Sequence, residues 1–155
     1  ANEFAHYRQQ IGIVFQDYKL MKDETVFENL ALPLKILNRS TLEIEKKISE
    51  LAENIGLGAY LDEYPLHLSG GEQQRIAIGR SLIHDPKIIF ADEPTGNLDP
   101  ETSDEIMQLL ISIAKDYGTA VVMATHDFIV INRYPGRMLK TERGRVIDSA
   151  NMEVA

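Results

Sequence analysis

The chain has 155 residues, 44% of them hydrophobic and 26% charged, with a formal net charge of -8. That length buries one core without requiring two domains, and the acidic balance argues against broad binding to nucleic-acid backbones, which needs Lys and Arg gathered on one face. Cysteine is absent, which excludes disulfides and thiolate metal sites, and no apolar run approaches the roughly 18 residues of a membrane span. The start, Ala1-Asn2-Glu3-Phe4, has neither the basic nor the apolar region of a signal peptide and no initiator Met, so the chain is expected to be a piece of something longer.

Ile11 to Phe15 is short, β-branched and apolar, and predicts a strand; Gln16 follows it and opens the loop Asp17 to Asp23. Thr25-Val26-Phe27-Glu28 has the spacing of a capping box, so a helix begins there and is expected to falter near Pro33. Ser40-Thr41-Leu42-Glu43 is a second capping box, followed by Ile44, Ile48, Leu51, Ala52 and Ile55 at helical spacing and by Gly56 at the C′ position. A turn-rich connection with Pro65 leads to Ser69, which caps a helix running to Leu82 or Ile83 and closed by His84-Asp85-Pro86. Lys87 to Asp92 predicts a buried strand, and Asp99-Pro100 starts a helix with Ile106, Leu109, Leu110, Ile113 and Tyr117 on one face and Gly118 at its end. Ala120 to Ala124 is another buried strand, ending at Thr125-His126-Asp127, and a hairpin about Arg143-Gly144 pairs Arg137 to Thr141 with Arg145 to Ile147. Strands alternating with amphipathic helices make an α/β protein with a parallel sheet, whose functional residues belong at the carboxyl ends of the strands. Gln16, Asp92, Glu93 and His126 all fall there.

Two stretches carry the chemistry. In Leu68-Ser69-Gly70-Gly71-Glu72-Gln73-Gln74-Arg75 the glycines let backbone N–H groups approach an anion, and the following helix adds its positive end. A bare Ser-Gly-Gly is as well explained by an ordinary N-cap; the flanking residues turn the balance toward phosphate. In Ile88 to Glu93 an apolar strand delivers two adjacent carboxylates, Asp92 to hold Mg²⁺ and Glu93 to orient a water. The competing explanation is an acidic strand end, common in α/β proteins. His126 is placed to reach a terminal phosphate, although a loop histidine is otherwise simply solvated. Asp99 has a structural task as a cap whatever else it does. Tyr18, Leu20 and Met21 suit either a partner surface or the core. Nothing matches Gly-x-x-x-x-Gly-Lys-Ser/Thr, and no Gly is followed by Lys.

Taken together these residues resemble the ATP-binding-cassette (ABC) ATPases from about Tyr7 to Ile147: Gln16 stands at the Q-loop, Leu68 to Gly71 at the signature, Ile88 to Glu93 at Walker B, Asn97, Leu98 and Asp99 at the D-loop and His126 at the switch histidine. The resemblance implies an α/β, P-loop NTPase-like core, an incomplete parallel sheet with flanking helices, plus a helical signature subdomain. It makes residues 1–155 the C-terminal portion of a single ABC ATPase domain, with the helical subdomain at about 24–84 and core elements at 7–23 and 85–149. The family's Walker A loop lies upstream of the Q-loop strand, so a strand–loop–helix unit of about 30 residues is expected to be missing. This chain alone is then expected to bind ATP weakly or not at all, and to leave apolar surface bare.

The resemblance further implies ATP and Mg²⁺ as cofactors and a head-to-tail second subunit. Ser69, Gly70, Gly71 and Glu72 then contact the nucleotide of the opposite chain, Glu93 and His126 act catalytically on their own, Asp92 and Gln16 serve the metal, and Asp17, Tyr18, Lys19, Leu20 and Met21 couple to a membrane partner. Phe15 to Leu20, Thr25 to Asn29, Met123 to Asp127 and Arg137 to Leu139 look like the cell-division subfamily, the FtsE type, which works with the polytopic membrane protein FtsX on cell-wall hydrolysis. That subfamily is cytoplasmic and peripheral on the inner face of the bacterial plasma membrane, with no nucleic-acid partner. Lipoprotein-releasing and macrolide-export ATPases share Ala91 to Asp99 and are the alternatives within the family. From other classes stand a non-catalytic binding module, which the missing loop suggests, and a chromosome-maintenance or ribosome-associated ABC protein. The short span between Gln16 and Ser69 and the acidic charge count against the last. Gly79, where the family more often has Ala, costs about 1 kcal/mol of helix propensity.

Overall fold

The computed structural model describes residues 7–148. In chain order the elements are β1 (Ile11–Val14), α1 (Val26–Ile36), α2 (Thr41–Asn54), two single 3₁₀ turns (Gly58–Tyr60 and Pro65–His67), α3 (Gly70–Leu82), β2 (Ile88–Asp92), α4 (Pro100–Asp116), β3 (Ala120–Ala124), α5 (Phe128–Arg133), β4 (Leu139–Glu142) and β5 (Arg145–Asp148). β1, β2 and β3 form a parallel sheet in that order, with Ile11 opposite Ile88 and Ile88 opposite Ala120. The chain divides into two compact units, Ala1–Thr125 and His126–Ala155. The second contains α5 and the β4–β5 hairpin, whose two-residue turn Arg143-Gly144 has positive φ at both positions, the geometry that matches strand twist.

In the first unit the helices each bury one apolar face. α1 buries Val26, Leu30, Ala31 and Leu34, α2 buries Ile44, Ile48, Leu51 and Ala52, and α4 buries Ile106, Leu109, Leu110 and Ile113. Each buried Leu or Ile stabilises the fold by roughly 1.5–3 kcal/mol. The α2 C-terminus closes as expected at Gly56, whose φ of 73° lets its N–H bond Glu53 O at 3.2 Å and Leu57 N–H bond Ala52 O at 2.7 Å, the Schellman pattern. α3 sits at the centre, packed on β1, α1 and α4. A Cβ on its Gly79 would lie 2.6 Å from Ile55 Cδ1 and 2.9 Å from Leu30 Cδ2, so the weak helix former permits a closer approach of α1 and α2.

Four expectations are corrected. α1 does not falter at Pro33 but continues to Ile36. Pro33 lies late in the helix and removes a single donor, while its own carbonyl still accepts Leu37 N–H at 3.1 Å and Leu34 stays buried behind it. At Thr25 only half of the capping box forms: Thr25 Oγ1 accepts Glu28 N–H at 3.2 Å, whereas the Glu28 carboxylate turns to Lys35. Tyr117 is not on the buried face of α4; it caps the helix, largely exposed, and its hydroxyl accepts a hydrogen bond from Asn54 Nδ2 at 2.9 Å. The strand ends also shift, because β1 stops at Val14 and β4 begins at Leu139, where ladder pairing is present.

The sheet has unlike faces. Val14, Ile89 and Ala91 are buried, whereas Ile13, Phe90 and Val122, directly opposite one another across the three strands, are exposed together with Phe15. Parallel sheets in α/β proteins are ordinarily covered on both faces.

Candidate functional site at the strand ends

Gln16 lies two residues beyond β1, Asp92 ends β2 and Thr125 follows β3, so the parallel register carries three chain segments to one edge of the sheet. Glu93, one residue past β2, has a φ of 45°, a left-handed conformation that costs a non-glycine residue on the order of 1–3 kcal/mol. Its backbone is held on both sides: Glu93 N–H donates to Ala124 O at 2.9 Å, and Glu93 O accepts Gly96 N–H at 3.0 Å. Its carboxylate Oε2 accepts the Thr125 hydroxyl at 3.2 Å. The turn this creates, Glu93-Pro94-Thr95-Gly96, brings Gln16 alongside, since a Cβ on Gly96 would lie 3.0 Å from Gln16 Nε2 and 3.4 Å from Glu93 Cβ. Asn97 completes the contact by donating from Nδ2 to Gln16 O at 3.0 Å. Asp92 and Gln16 are exposed and Glu93 is half-buried.

The Ser69-Gly70-Gly71 turn caps itself. Ser69 Oγ accepts Glu72 N–H at 3.3 Å, while Glu72 Oε2 accepts both the Ser69 N–H and its hydroxyl at 2.7 Å. These bonds hold the Glu72 carboxyl below its ordinary range, first through the Ser69 hydroxyl and then through its amide. Ser69 is exposed and Gly71 buried. The glycines are needed for close packing: a Cβ on Gly71 would fall 2.5 Å from Thr102 Cγ2, and one on Gly70 would fall 3.2 Å from both Leu98 Cδ2 and the Tyr18 hydroxyl. Asp99 caps α4 as expected, accepting the Thr102 hydroxyl at 2.5 Å and the Thr102 and Glu101 N–H groups at 3.1 Å, and the Thr102 bonds lower its carboxyl pKa.

The loop after Gln16 is a built structure. Tyr18 and Lys19 both have positive φ, 61° and 49°. The Arg80 guanidinium of α3 donates to Tyr18 O at 2.9 Å and Lys19 O at 2.8 Å, and burial lowers its pKa. At the far end Asn29, fully buried, accepts Met21 N–H at 2.9 Å and donates to Met21 O at 3.0 Å. Tyr18, Leu20 and Met21 are half-buried, so the sequence alternatives of surface or core resolve to neither; burial raises the Tyr18 phenol pKa. Along α3, Gln74 Nε2 donates to Pro94 O at 2.7 Å and Arg75 reaches Ile55 O and Glu105.

The structure therefore brings Gln16, Glu93, Thr125 and Asn97 together at the strand ends, and Tyr18, Gly70, Leu98 and Thr102 together at the tip of α3. His126 opens the second unit, exposed, one residue beyond Thr125. Sequence reasoning missed Gln74, Arg80, Asn29 and Thr125. For Gln74 a signal existed: it is polar at a position where helical spacing from Gly71 to Ile78 calls for a buried side chain, which implies a buried hydrogen bond. Two grooves of about 120 and 410 Å³ flank Tyr117, but neither is lined by any residue of this site.

Among the described residues no three His, Cys, Asp or Glu side chains cluster as a cation cage. The donors present fit Mg²⁺ nonetheless. That ion takes one or two carboxylates, keeps waters and completes its octahedron with substrate phosphates, and Asp92 with Gln16 offers one carboxylate and one amide oxygen.

A parallel sheet with polar side chains at its carboxyl ends, beside a glycine-led capped helix, defines an α/β core with its site at the strand ends. Residues 1–96 match the family described as ABC transporter, and the chain belongs to that family. It is 42% identical over 153 residues to the methionine import ATP-binding protein MetN 1 of Bacillus cereus, covering 99% of this chain and 44% of that protein. It is 44% identical over 140 residues to the cell division ATP-binding protein FtsE of Streptococcus pneumoniae, covering 90% of this chain and 60% of that one. Among solved structures, CbiO1 of Clostridium perfringens, part of the ABC transporter complex CbiONQ, superposes with a TM-score of 0.83 at 33% identity, over 90% of this chain and 56% of that one. The chain thus spans about half the length of the relatives it matches. FtsE is among them, as the resemblance implied. Methionine-import proteins, which the sequence reading did not weigh, match as well.

Proposed function

We propose that the complete protein hydrolyses ATP and that this chain supplies the signature, Walker B, D-loop and Q-loop parts of its site. Glu93 accepts a hydrogen bond from the attacking water and aims its oxygen at the terminal phosphorus, so that the bond to ADP breaks as the new P–O bond forms. Phosphoryl transfer is mainly positioning and charge stabilisation, and a carboxylate locked at a strand end meets that demand. Asp92 and Gln16 would hold Mg²⁺, which when bound neutralises phosphate charge. His126 reaches the terminal phosphate, while Ser69, Gly70, Gly71 and Glu72 face the nucleotide of a second, head-to-tail subunit across Asn97, Leu98 and Asp99. Residues 24–84 are the helical subdomain of the proposed ABC ATPase domain, with 7–23 and 85–149 as its core parts, position 149 lying outside the described residues. The bare row Ile13–Phe90–Val122 is the surface that a further strand–helix unit carrying a Walker A loop would cover, and without it this chain binds ATP weakly or not at all.

The observation that carries this reading is the left-handed Glu93, pinned by Ala124, Thr125 and Gly96 beside Gln16. Its test is Glu93→Gln in the complete protein: ATP hydrolysis should fall at least a hundredfold with nucleotide affinity kept, and parental turnover would remove Glu93 from its role.

For the coupled process we propose the FtsE type, in which Asp17 to Met21 dock on an FtsX-like polytopic membrane protein at the inner face of the plasma membrane. The softer motifs around Gln16 and Thr25 support it. Methionine import is the second reading, favoured by the match that covers 99% of the chain. Purifying the complete protein from its own membranes distinguishes them by which membrane subunit accompanies it.

A further inference from the structure

We infer that Gln74 is a positioning residue for Glu93, acting through the carbonyl of Pro94. The inference rests on Glu93 being the water-orienting carboxylate of the proposed reaction. Gln74 is fully buried in α3, one turn past the anion-holding tip, and its Nε2 donates to Pro94 O at 2.7 Å. The carbonyls on either side of Pro94 are used within the turn itself: Glu93 O accepts Gly96 N–H and Thr95 O accepts Leu98 N–H. The Pro94 carbonyl points away from both, into α3, where the Gln74 amide meets it. Because a carbonyl can only accept, the amide is oriented with nitrogen toward Pro94, which leaves Gln74 Oε1 buried without a partner among the described residues. A buried amide kept half-satisfied for one bond points to what that bond holds.

What it holds is the turn that keeps φ of Glu93 at 45°. A left-handed non-glycine residue persists only where its surroundings over-determine it. Glu93 N–H on Ala124 and the Thr125 hydroxyl on Oε2 fix the side toward β3. Gln74 fixes the side toward α3. Removing it frees the Pro94–Thr95 peptide, so that the turn relaxes and φ of Glu93 returns toward negative values, which moves the Glu93 side chain away from Gln16. Misplacement of about 1 Å costs on the order of a hundredfold in rate. The same bond joins the helix bearing the signature tip to the turn that follows the carboxylate of its own chain.

The test uses the complete ATPase. Gln74→Met keeps the length of the side chain and removes the donor. It should lower kcat tenfold to a hundredfold with KM for MgATP within about threefold, and in a Glu93→Gln background it should change the single-turnover rate by less than about threefold, because the two residues act as a unit. Gln74→Glu adds a readout that a packing role would not move. Protonated, its O–H can donate to Pro94 O; ionised, it repels that carbonyl, and burial raises its pKa. Its kcat relative to the parent should therefore decline as pH rises from about 6 to about 8.5, and this arm stands if Gln74→Met does not fold. Parental kcat in Gln74→Met, equal losses in both backgrounds, or a pH-independent ratio for Gln74→Glu would each overturn the inference. An inactive Glu93→Gln beside a fully active Gln74→Met removes Gln74 alone, whereas a fully active Glu93→Gln removes the reading of Glu93 as well.

Discussion

The tip of α3 and the turn after β2 solve opposite problems. Ser69 to Glu72 is held by its own side chains: the serine and the glutamate three residues on satisfy each other's backbone, and no residue there has a positive φ. Glu93 sits in a conformation it does not prefer, held there by Ala124, Thr125 and Gln74 from other elements. A tip that presents backbone amides needs only a well-made helix start. In the proposed reaction the Glu93 carboxylate aims a water, which needs a position that local preference would not give it, so its geometry is assembled from a distance.

The largest effect is expected at the loop that shares this non-local character. Arg80→Met removes charge-assisted bonds to two carbonyls in left-handed residues and should cost about 2–4 kcal/mol, read by guanidinium titration and by faster amide exchange at residues 17–21. Exchange unchanged in that loop would show that Tyr18 and Lys19 hold themselves. At the tip, Ser69→Ala loses a local cap only and should cost about 1 kcal/mol, with the loss confined to the first turn of α3. A change spreading to residues 93–96 would break the contrast between the two regions.

Gly79→Ala sharpens it from the packing side. Helix propensity alone predicts a gain of about 1 kcal/mol, but the new methyl would overlap Ile55 Cδ1 and Leu30 Cδ2. Overpacking of about 1–3 kcal/mol should win, giving a net loss of about 1 kcal/mol, and adding Ile55→Val, which removes the Cδ1 atom, should restore most of it. A plain gain in melting temperature for Gly79→Ala would refute the packing account.

The smallest effect is a pH dependence at the tip. The folded Glu72 carboxyl lies below its ordinary value of 4.5, so its ionised cap contributes stability that is fully present above that value and is lost as pH falls through the lower folded one. The stability difference between the parent and Glu72→Gln should shrink below about pH 4.5. A difference that stays constant to pH 3 would mean the carboxylate does not cap.

Sequence made the local half of the site visible. The Ser-x-x-Glu spacing, the apolar strand before Asp92-Glu93 and the Asp99-Pro100 helix start are each written in neighbouring residues, and each appears in the structure. Even there one piece escaped. The spacing recognised at Ser40 recurs at Ser69, yet Glu72 reads from sequence as a ligand contact before it reads as a cap. The non-local half was invisible for a physical reason: Gln74 and Pro94 are 20 positions apart and Arg80 and Tyr18 are 62 apart, and no short-range pattern encodes a bond across such distances. The left-handed φ of Glu93 has no local signature either, since Glu has no preference for it. Pro33 taught the converse, because tertiary burial of Leu34 outweighed a local helix breaker.

The most direct test of stored strain at the functional carboxylate is the unfolding free energy of Glu93→Gly set against that of Glu93→Gln. Both lose the carboxylate, but only glycine relieves a φ of 45°. The Gly variant should be as stable as the Gln variant or more stable by up to about 1 kcal/mol. A Gly variant less stable by about 1 kcal/mol, the usual penalty where no strain is relieved, would contradict the account.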